Sequence, residues 1–223
     1  MKNYKEKLNL KGETLEEFLQ KYNPDKYKKP AVTVDTLIFT MKEISRESKE
    51  LEILLIKRKN HPCIDQWAIP GGFINIDEDI EAAARRELKE ETDVDDVYLE
   101  QLHTFGSIGR DPRERTISVS YMALVEHDKL KPKAGDDAAE VAWFTIEKCI
   151  IESSEEENKY KLILCNTERK IIMEYTVIEK YVSKGIGKAV EAYIEPSKES
   201  TDLLAFDHEK MINLAVRRLN TII

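Results

Sequence analysis

Hydrophobic and polar positions alternate with period two over "AVTVDTLIFT" (Ala31 to Thr40), and a second apolar run rich in branched residues follows at "LEILLIKRK" (Leu51 to Lys59). Alternation of this kind predicts strands. The polar segment "MKEISRESKE" between them predicts a loop closing a hairpin. Further strands are expected at "VYLEQLHTF" (Val97 to Phe105), "RTISVSYMALVE" (Arg115 to Glu126) and "EVAWFT" (Glu140 to Thr145). In residues 150–200, "ESSEEENK" reads as a polar loop, "YKLILC" and "KIIMEYTVIEK" as a β-hairpin, and "AVEAYIE" as a third strand. Near the start, "TLEEFLQKY" predicts a short helix capped at Thr14 that covers one edge of the core, followed by a turn at "NPDKYKKP". At the far end, "FDHEKMINLAVRRLNTII" places Met211, Ile212, Ala215, Val216 and Leu219 at helical spacing behind an N-cap at Asp207. Strands interleaved with a mid-chain helix and a C-terminal helix predict an α/β fold, a mixed sheet covered by helices on both faces.

The mid-chain helix is the informative element. "GGFINIDEDIEAAARRELKEETDV" (Gly71 to Val94) packs four carboxylates into its last eight residues. At about 100° per residue from Ile80, Ala84 falls near 40°, Leu88 near 80°, Ala83 near 300° and Val94 near 320°. This is one apolar stripe. Glu87 (near 340°) and Glu91 (near 20°) lie inside it, whereas Arg85, Lys89 and Glu81 point elsewhere. A carboxylate on the core side must neutralise or acquire a cation, and no lysine or arginine of the helix lies between these two. A metal ion is the candidate.

At 223 residues, the chain suits one domain with a substantial core, and residues 150–200 are expected to form a β-rich insertion in it. Hydrophobic residues at 41% and charged residues at 35% describe a folded chain rather than a disordered one. A net charge of −8 opposes binding to a nucleic-acid backbone, which needs clustered Lys and Arg, while leaving metal-complexed anions as ligands. Cys63, Cys149 and Cys165 form no CxxC pair and read as reduced thiols. His61, His103, His127 and His208 show no paired spacing and read as surface or packing residues. The N-terminus lacks the apolar core of a signal peptide, and no apolar run of about 18 residues occurs, so a cytoplasmic protein with no membrane partner is expected.

From Gly72 onward the segment resembles the Nudix box, a glycine, five residues, a glutamate, seven residues, then Arg-Glu-apolar-x-Glu-Glu-x-Gly-apolar. Gly72, Glu78, Arg86, Glu87, Leu88, Glu90, Glu91 and Val94 match at the required spacing, with Asp93 standing where the pattern has glycine. That position ends the helix in a left-handed conformation, which Asp tolerates better than most residues. "YKKPAVTVDTLIFT" and "FGSIGRDPRERTISVSYMALV" are similar to the ADP-ribose pyrophosphatase-like branch. The resemblance covers about residues 20–148 and the C-terminal helix and implies a Nudix-type α/β/α sandwich, a mixed sheet between helices.

The resemblance also implies a chemistry, hydrolysis of a nucleoside diphosphate linked to another group with Mg²⁺ or Mn²⁺. Carried over, Glu87 and Glu91 are metal ligands, Glu90 is a ligand or water-orienting base, and Arg86 orients Glu90 or Glu78. A backbone carbonyl at Gly71 or Gly72 can approach the metal. Among "AGDDAAEVAWF", Asp136, Asp137 and Glu140 occupy a position from which relatives supply an acidic residue, and Asp137 is the candidate base. Arg110, Arg113 and Arg115 offer guanidinium forks for phosphate oxygens, with contact expected from one of them. Phe105, Tyr121 and Trp67 could stack a base, but aromatics in strands are more often core. The leading expectation is an ADP-ribose diphosphatase yielding AMP and ribose 5-phosphate. Alternatives are a nucleoside triphosphate pyrophosphohydrolase and an ADP-ribose-sensing Nudix-like transcriptional regulator. The regulator ranks last because its winged helix would follow the C-terminal helix and the sequence stops at Ile223. No nucleic-acid partner is expected, and a homodimer is left open.

Overall fold

A computed structural model describes residues 7–45, 48–126, 132–133, 138–184 and 187–221. They form two compact units divided between Pro30 and Ala31. The first contains α1 (Leu15–Lys21), which begins where the capping signal places it. Thr14 Oγ1 accepts from the Glu17 N–H at 3.1 Å, and the Glu17 carboxylate accepts from the Thr14 N–H at 2.9 Å. No residue of α1 is buried.

The second unit is built on a ten-stranded sheet. Its strands are β1 (Ala31–Ser45), β2 (Ser48–Arg58), β3 (Trp67–Ala68), β4 (Gly71–Phe73), β5 (Glu100–Phe105), β6 (Thr116–Val125), β7 (Ala138–Ser153), β8 (Glu157–Asn166), β9 (Ile171–Lys184) and β10 (Gly187–Pro196). The order is β10-β9-β8-β7-β2-β1-β6-β5, with β3 paired to β2 and β4 to β1. The β1–β6 pair is parallel, so the sheet is mixed as expected. The two strands run further than the sequence suggests, because most of the polar segment after Thr40 is strand. Its charges pair across the ladder, Lys49 with Glu43 at 3.2 Å and Lys42 with Glu52 at 3.5 Å.

Period-two alternation divides β1 between two cores. Val34 and Ile38 join Leu54 and the helix α2 (Ile80–Thr92) through Ala83, Ala84 and Leu88. On the other face, Leu37 and Phe39 join Ile53, Leu55 and the helix α3 (His208–Leu219) through Met211, Ile212, Ala215, Val216 and Leu219. The result is the α/β/α sandwich. Full burial of Met211, Ile212, Val216 and Leu219 contributes about 1.5–3 kcal/mol each, more than helix propensity alone supplies. Strands β8 and β9 add Tyr160, Leu162, Leu164, Met173, Tyr175 and Val177 to the same cluster. They thus lengthen the floor on which α3 rests.

One detail of the α2 stripe differs from the sequence reading. Ile80 lies in the first turn and is 40% exposed. The buried arc is centred on Ala83, Ala84, Leu88 and Thr92 instead. This rotation leaves Glu87 and Glu91 at the edge of the buried face, half-buried rather than enclosed. At the other end of the helix, Asp93 adopts φ 59° and ψ 19°, with its N–H bonded to the Lys89 carbonyl. The left-handed cap expected at the glycine position is present with aspartate in it.

Candidate functional site

Strand β4 lays Gly71 and Gly72 across β1 directly beneath α2. A Cβ on Gly72 would lie 2.5 Å from the Glu87 carboxylate, and one on Gly71 would lie 2.2 Å from the Val34 carbonyl oxygen. At Gly71 a side chain would collide with fixed backbone, and at Gly72 it would push the Glu87 carboxylate out of its place. The approach also gives Glu91 a partner, since the Gly71 N–H donates to its Oε2 at 2.7 Å. Burial pushes the Glu91 carboxyl up to about 8 despite that bond. The Glu87 carboxyl is also raised by burial, with Arg86 opposing.

Arg86 braces the outer edge of this group. Its guanidinium donates to Glu78 at 2.6 and 3.0 Å, to Glu87 at 2.6 Å, to Glu90 at 3.1 Å and to the Phe73 carbonyl at 3.1 Å. The bidentate contact holds the Glu78 carboxyl down at about 2. Both expected partners of Arg86, Glu78 and Glu90, are therefore engaged. The sequence reading puts no lysine or arginine of the helix between Glu87 and Glu91, and it does not foresee the contact that Arg86 makes with Glu87. Arg86 folds back along the helix surface to reach it, a rotamer that a helical wheel does not show.

Glu87, Glu91, Gly71, Gly72 and Arg86 line a cavity of about 440 Å³. The rest of its lining comes from other parts of the chain: Asp35 of β1, which pairs with Gly71, Arg58 of β2, Arg110 and Arg113 of the β5–β6 loop, and Phe206 and His208 at the start of α3. Asp35 accepts from the Ser118 hydroxyl, and burial raises its carboxyl to about 6. His208 is buried too, and desolvation pushes it down to about 3. Its Nδ1 accepts from the Ile69 N–H at 2.9 Å, so the neutral ring carries its proton on Nε2, 3.6 Å from Asp35. That pair is not a salt bridge.

The three loop arginines are used differently. Arg110 forms a buried bidentate pair with Asp207 at 2.7 and 3.2 Å, the two side chains being 5% and 8% exposed. Asp207 occupies the N-cap position of α3 but makes no side-chain capping bond, because its carboxylate faces Arg110. Arg113 pairs with Asp111 at 2.8 and 3.1 Å and remains 41% exposed in the cavity. Arg115 is exposed, outside the cavity lining, and bonded to the Ser107 and Thr116 carbonyls. Glu90 is 58% exposed and also lies outside that lining. Asp136 and Asp137 lie outside the described residues. Glu140 is paired with Lys57 at 3.8 Å and with Arg169.

Trp67 and Tyr121 are core, Trp67 packing edge-on against Phe144 at 4.7 Å, and Phe105 packs against the same cluster as Trp67. The cavity aromatics are Phe73 and Phe206 instead. Asp35, Arg58, Phe73, Phe206 and His208 went unrecognised in the sequence. A signal existed for Asp35, a charged residue inside the otherwise apolar and threonine-bearing stretch Ala31–Thr40. His208 was read as a surface or packing residue, yet it lines the cavity.

Among the described residues, no three His, Cys, Asp or Glu side chains are gathered as a metal cluster. Two glycine-backed carboxylates nevertheless fit a hard divalent cation. Magnesium-like ions take one or two protein carboxylates and complete their shell with water and phosphate oxygens.

A mixed sheet between helices, with this carboxylate helix facing a glycine pair, defines a protein of the Nudix class. The chain belongs to the Nudix family, residues 30–164 matching the NUDIX domain model. It is 39% identical over 143 residues to the ADP-ribose pyrophosphatase of Methanocaldococcus jannaschii, covering 62% of this chain and 78% of the relative. It is 36% identical over 135 residues to the ADPR responsive transcriptional repressor NtrR of Acinetobacter baylyi, covering 60% of this chain. The match spans about half, 52%, of the repressor's length. The crystal structure of a MutT/nudix family protein from Enterococcus faecalis superposes with a TM-score of 0.68 at 33% identity, over 94% of this chain and 70% of that one.

Proposed function

We propose that the protein hydrolyses ADP-ribose to AMP and ribose 5-phosphate, with Mg²⁺ or Mn²⁺ held by Glu87 and Glu91. The observation that carries this reading is the placement of those two carboxylates beside Gly71 and Gly72 in a cavity that Arg58 and Arg113 also line. A divalent cation supplies neutralisation of the diphosphate and activation of a water. The chain's own groups do the positioning. Arg86 fixes Glu87 and Glu78, the Gly71 N–H fixes Glu91, and Arg113 offers a guanidinium fork to phosphate oxygens. Glu90, anchored by Arg86 at the solvent edge, and Asp137 are the candidates for orienting water. Residues 150–200 serve as an insertion that supports α3.

The pyrophosphatase relative supports this reading. The test is a panel of nucleotide sugars, dinucleotides and nucleoside triphosphates with Mg²⁺ and Mn²⁺, products being identified by mass. AMP from ADP-ribose, only with divalent metal, is the expected result. A triphosphate cleaved at least tenfold more efficiently overturns the substrate assignment.

The repressor relative supports a second reading, in which the same cavity senses ADP-ribose without cleaving it. Saturable ADP-ribose binding without turnover, together with submicromolar binding to a defined DNA duplex at moderate salt, would establish that reading. The net charge of −8 argues against the DNA contact.

A further inference from the structure

Phe206 lies between β10 and α3, and its ring lines the same cavity as Glu87 and Glu91. Its backbone sits at φ 54°. A bulky aromatic residue enters this left-handed region only when its surroundings over-determine it, and such strain concentrates at ligand sites. The flanking residues are pinned. The Ala205 N–H donates to the Trp67 carbonyl at 2.8 Å, the Trp67 N–H to the Leu203 carbonyl at 3.1 Å, and the Leu204 N–H to Tyr175 Oη at 2.7 Å. On the other side, Asp207 is held by the buried Arg110.

Two guanidinium groups stand by the ring, Arg58 at 5.1 Å and Arg113 at 5.8 Å from its centroid. Arg113 is also 5.0 Å from the ring of Phe73, the residue after Gly72, against which Glu87 lies. The cavity wall thus runs from carboxylates, through Phe73 and Arg113, to a half-buried aromatic face. Arg58 is tethered through Nε to the Pro62 carbonyl at 2.9 Å, whereas Arg113 is 41% exposed and held by Asp111 at 2.8 and 3.1 Å, so it leaves the ring by giving up that pair.

We propose that Phe206 is the platform on which the base of a bound nucleotide stacks, displacing Arg113 from the ring toward the phosphates. A planar π system replaces a planar guanidinium, so one slot accepts either. The proposal rests on reading the cavity as a nucleotide site, and its test separates the two. AMP and ribose 5-phosphate share the sugar and phosphate and differ by the base alone, so binding of both is measured by calorimetry with the wild type, Phe206→Leu and Phe206→Tyr. Leu keeps apolar bulk without a π face, and Tyr keeps the face. Phe206→Leu is expected to weaken AMP binding about 10- to 100-fold, a loss typical of one base–aromatic stack. Ribose 5-phosphate binding should stay within about twofold of wild type, and Phe206→Tyr should retain both. Should Phe206→Leu fail to fold, Phe206→Gly replaces it, since glycine suits the φ and removes the ring.

Unchanged AMP affinity in Phe206→Leu, equal losses for both ligands, or no AMP binding by the wild type overturns the platform. If AMP binding depends on Phe206 while ADP-ribose is not hydrolysed, the platform stands and the hydrolytic reading falls. If ADP-ribose is hydrolysed with a KM indifferent to Phe206, the platform is overturned and the hydrolytic reading stands.

Discussion

Glu91→Gln separates a metal-holding carboxylate from one that merely decorates a helix. Gln preserves the shape and can accept the Gly71 N–H bond that Glu91 Oε2 receives at 2.7 Å. It removes a charge that burial makes unfavourable, the carboxyl being raised from 4.5 to about 8 in the folded protein, with Glu87 and Asp35 adding repulsion. A raised carboxyl means that the folded state binds the proton more tightly than the unfolded state. The resulting destabilisation is absent below about pH 4.5, grows as pH rises, and is complete above about pH 8. At 1.36 kcal/mol per tenfold, the whole effect is about 5 kcal/mol, and up to about 3 kcal/mol of it applies at pH 7. For a domain of this size, 3 kcal/mol corresponds to about 6–12 °C in melting temperature.

Metal-free Glu91→Gln should therefore melt several degrees above metal-free wild type at pH 7, further above it at pH 8, and level with it near pH 4. Metal closes most of that gap. Wild type gains about 2.7 kcal/mol at a concentration 100 times its Kd, whereas the variant, lacking a ligand, gains little. Turnover should fall about a thousandfold, equivalent to about 4 kcal/mol of barrier. Melting curves at the three pH values, with chelator and with Mn²⁺, are run beside the rate assay. A variant with wild-type turnover, or one that melts below wild type without metal at pH 8, refutes the reasoning.

Arg110→Ala leaves Asp207 buried without its partner and should cost about 3–5 kcal/mol of stability in urea unfolding, whereas the exposed Arg115→Ala should stay within about 0.5 kcal/mol. Equal effects would show that the Arg110–Asp207 pair is not structural. Arg86→Lys keeps the charge but cannot bridge Glu78, Glu87 and Glu90 together, so kcat should fall by about 100-fold; wild-type kcat would remove Arg86 from the positioning of the carboxylates. Asp93→Gly should change stability by less than about 1 kcal/mol, in the stabilising direction, because φ 59° suits glycine. Asp93→Val at the same position should lower it by about 1–2 kcal/mol, and a chevron or urea midpoint that ranks the two the other way would refute the cap.

Local physics was legible along the chain. The cap at Thr14, the left-handed end at Asp93, the strand alternation after Ala31 and the apolar stripe of α3 follow from short-range sterics and side-chain direction, which repeat every 2 or 3.6 residues. The placement of Glu87 and Glu91 beside the apolar stripe of α2 came from the same rule. The rest of the cavity lining did not. Asp35, Arg58, Arg113, Phe206 and His208 meet because β1 lies between β2 and β6 and because α3 packs on the sheet face that Leu37 and Phe39 present. The pairing of Arg110 with Asp207 likewise depends on where the β5–β6 loop meets the start of α3. Arg110 and Arg115 carry the same side chain five positions apart, yet one is locked in a buried ion pair and the other is exposed. Periodicity specifies which way a side chain points from its own element. Only the tertiary arrangement specifies what it meets there, because burial, and with it the strength of every charge interaction, belongs to the assembled sheet and helices rather than to any one segment.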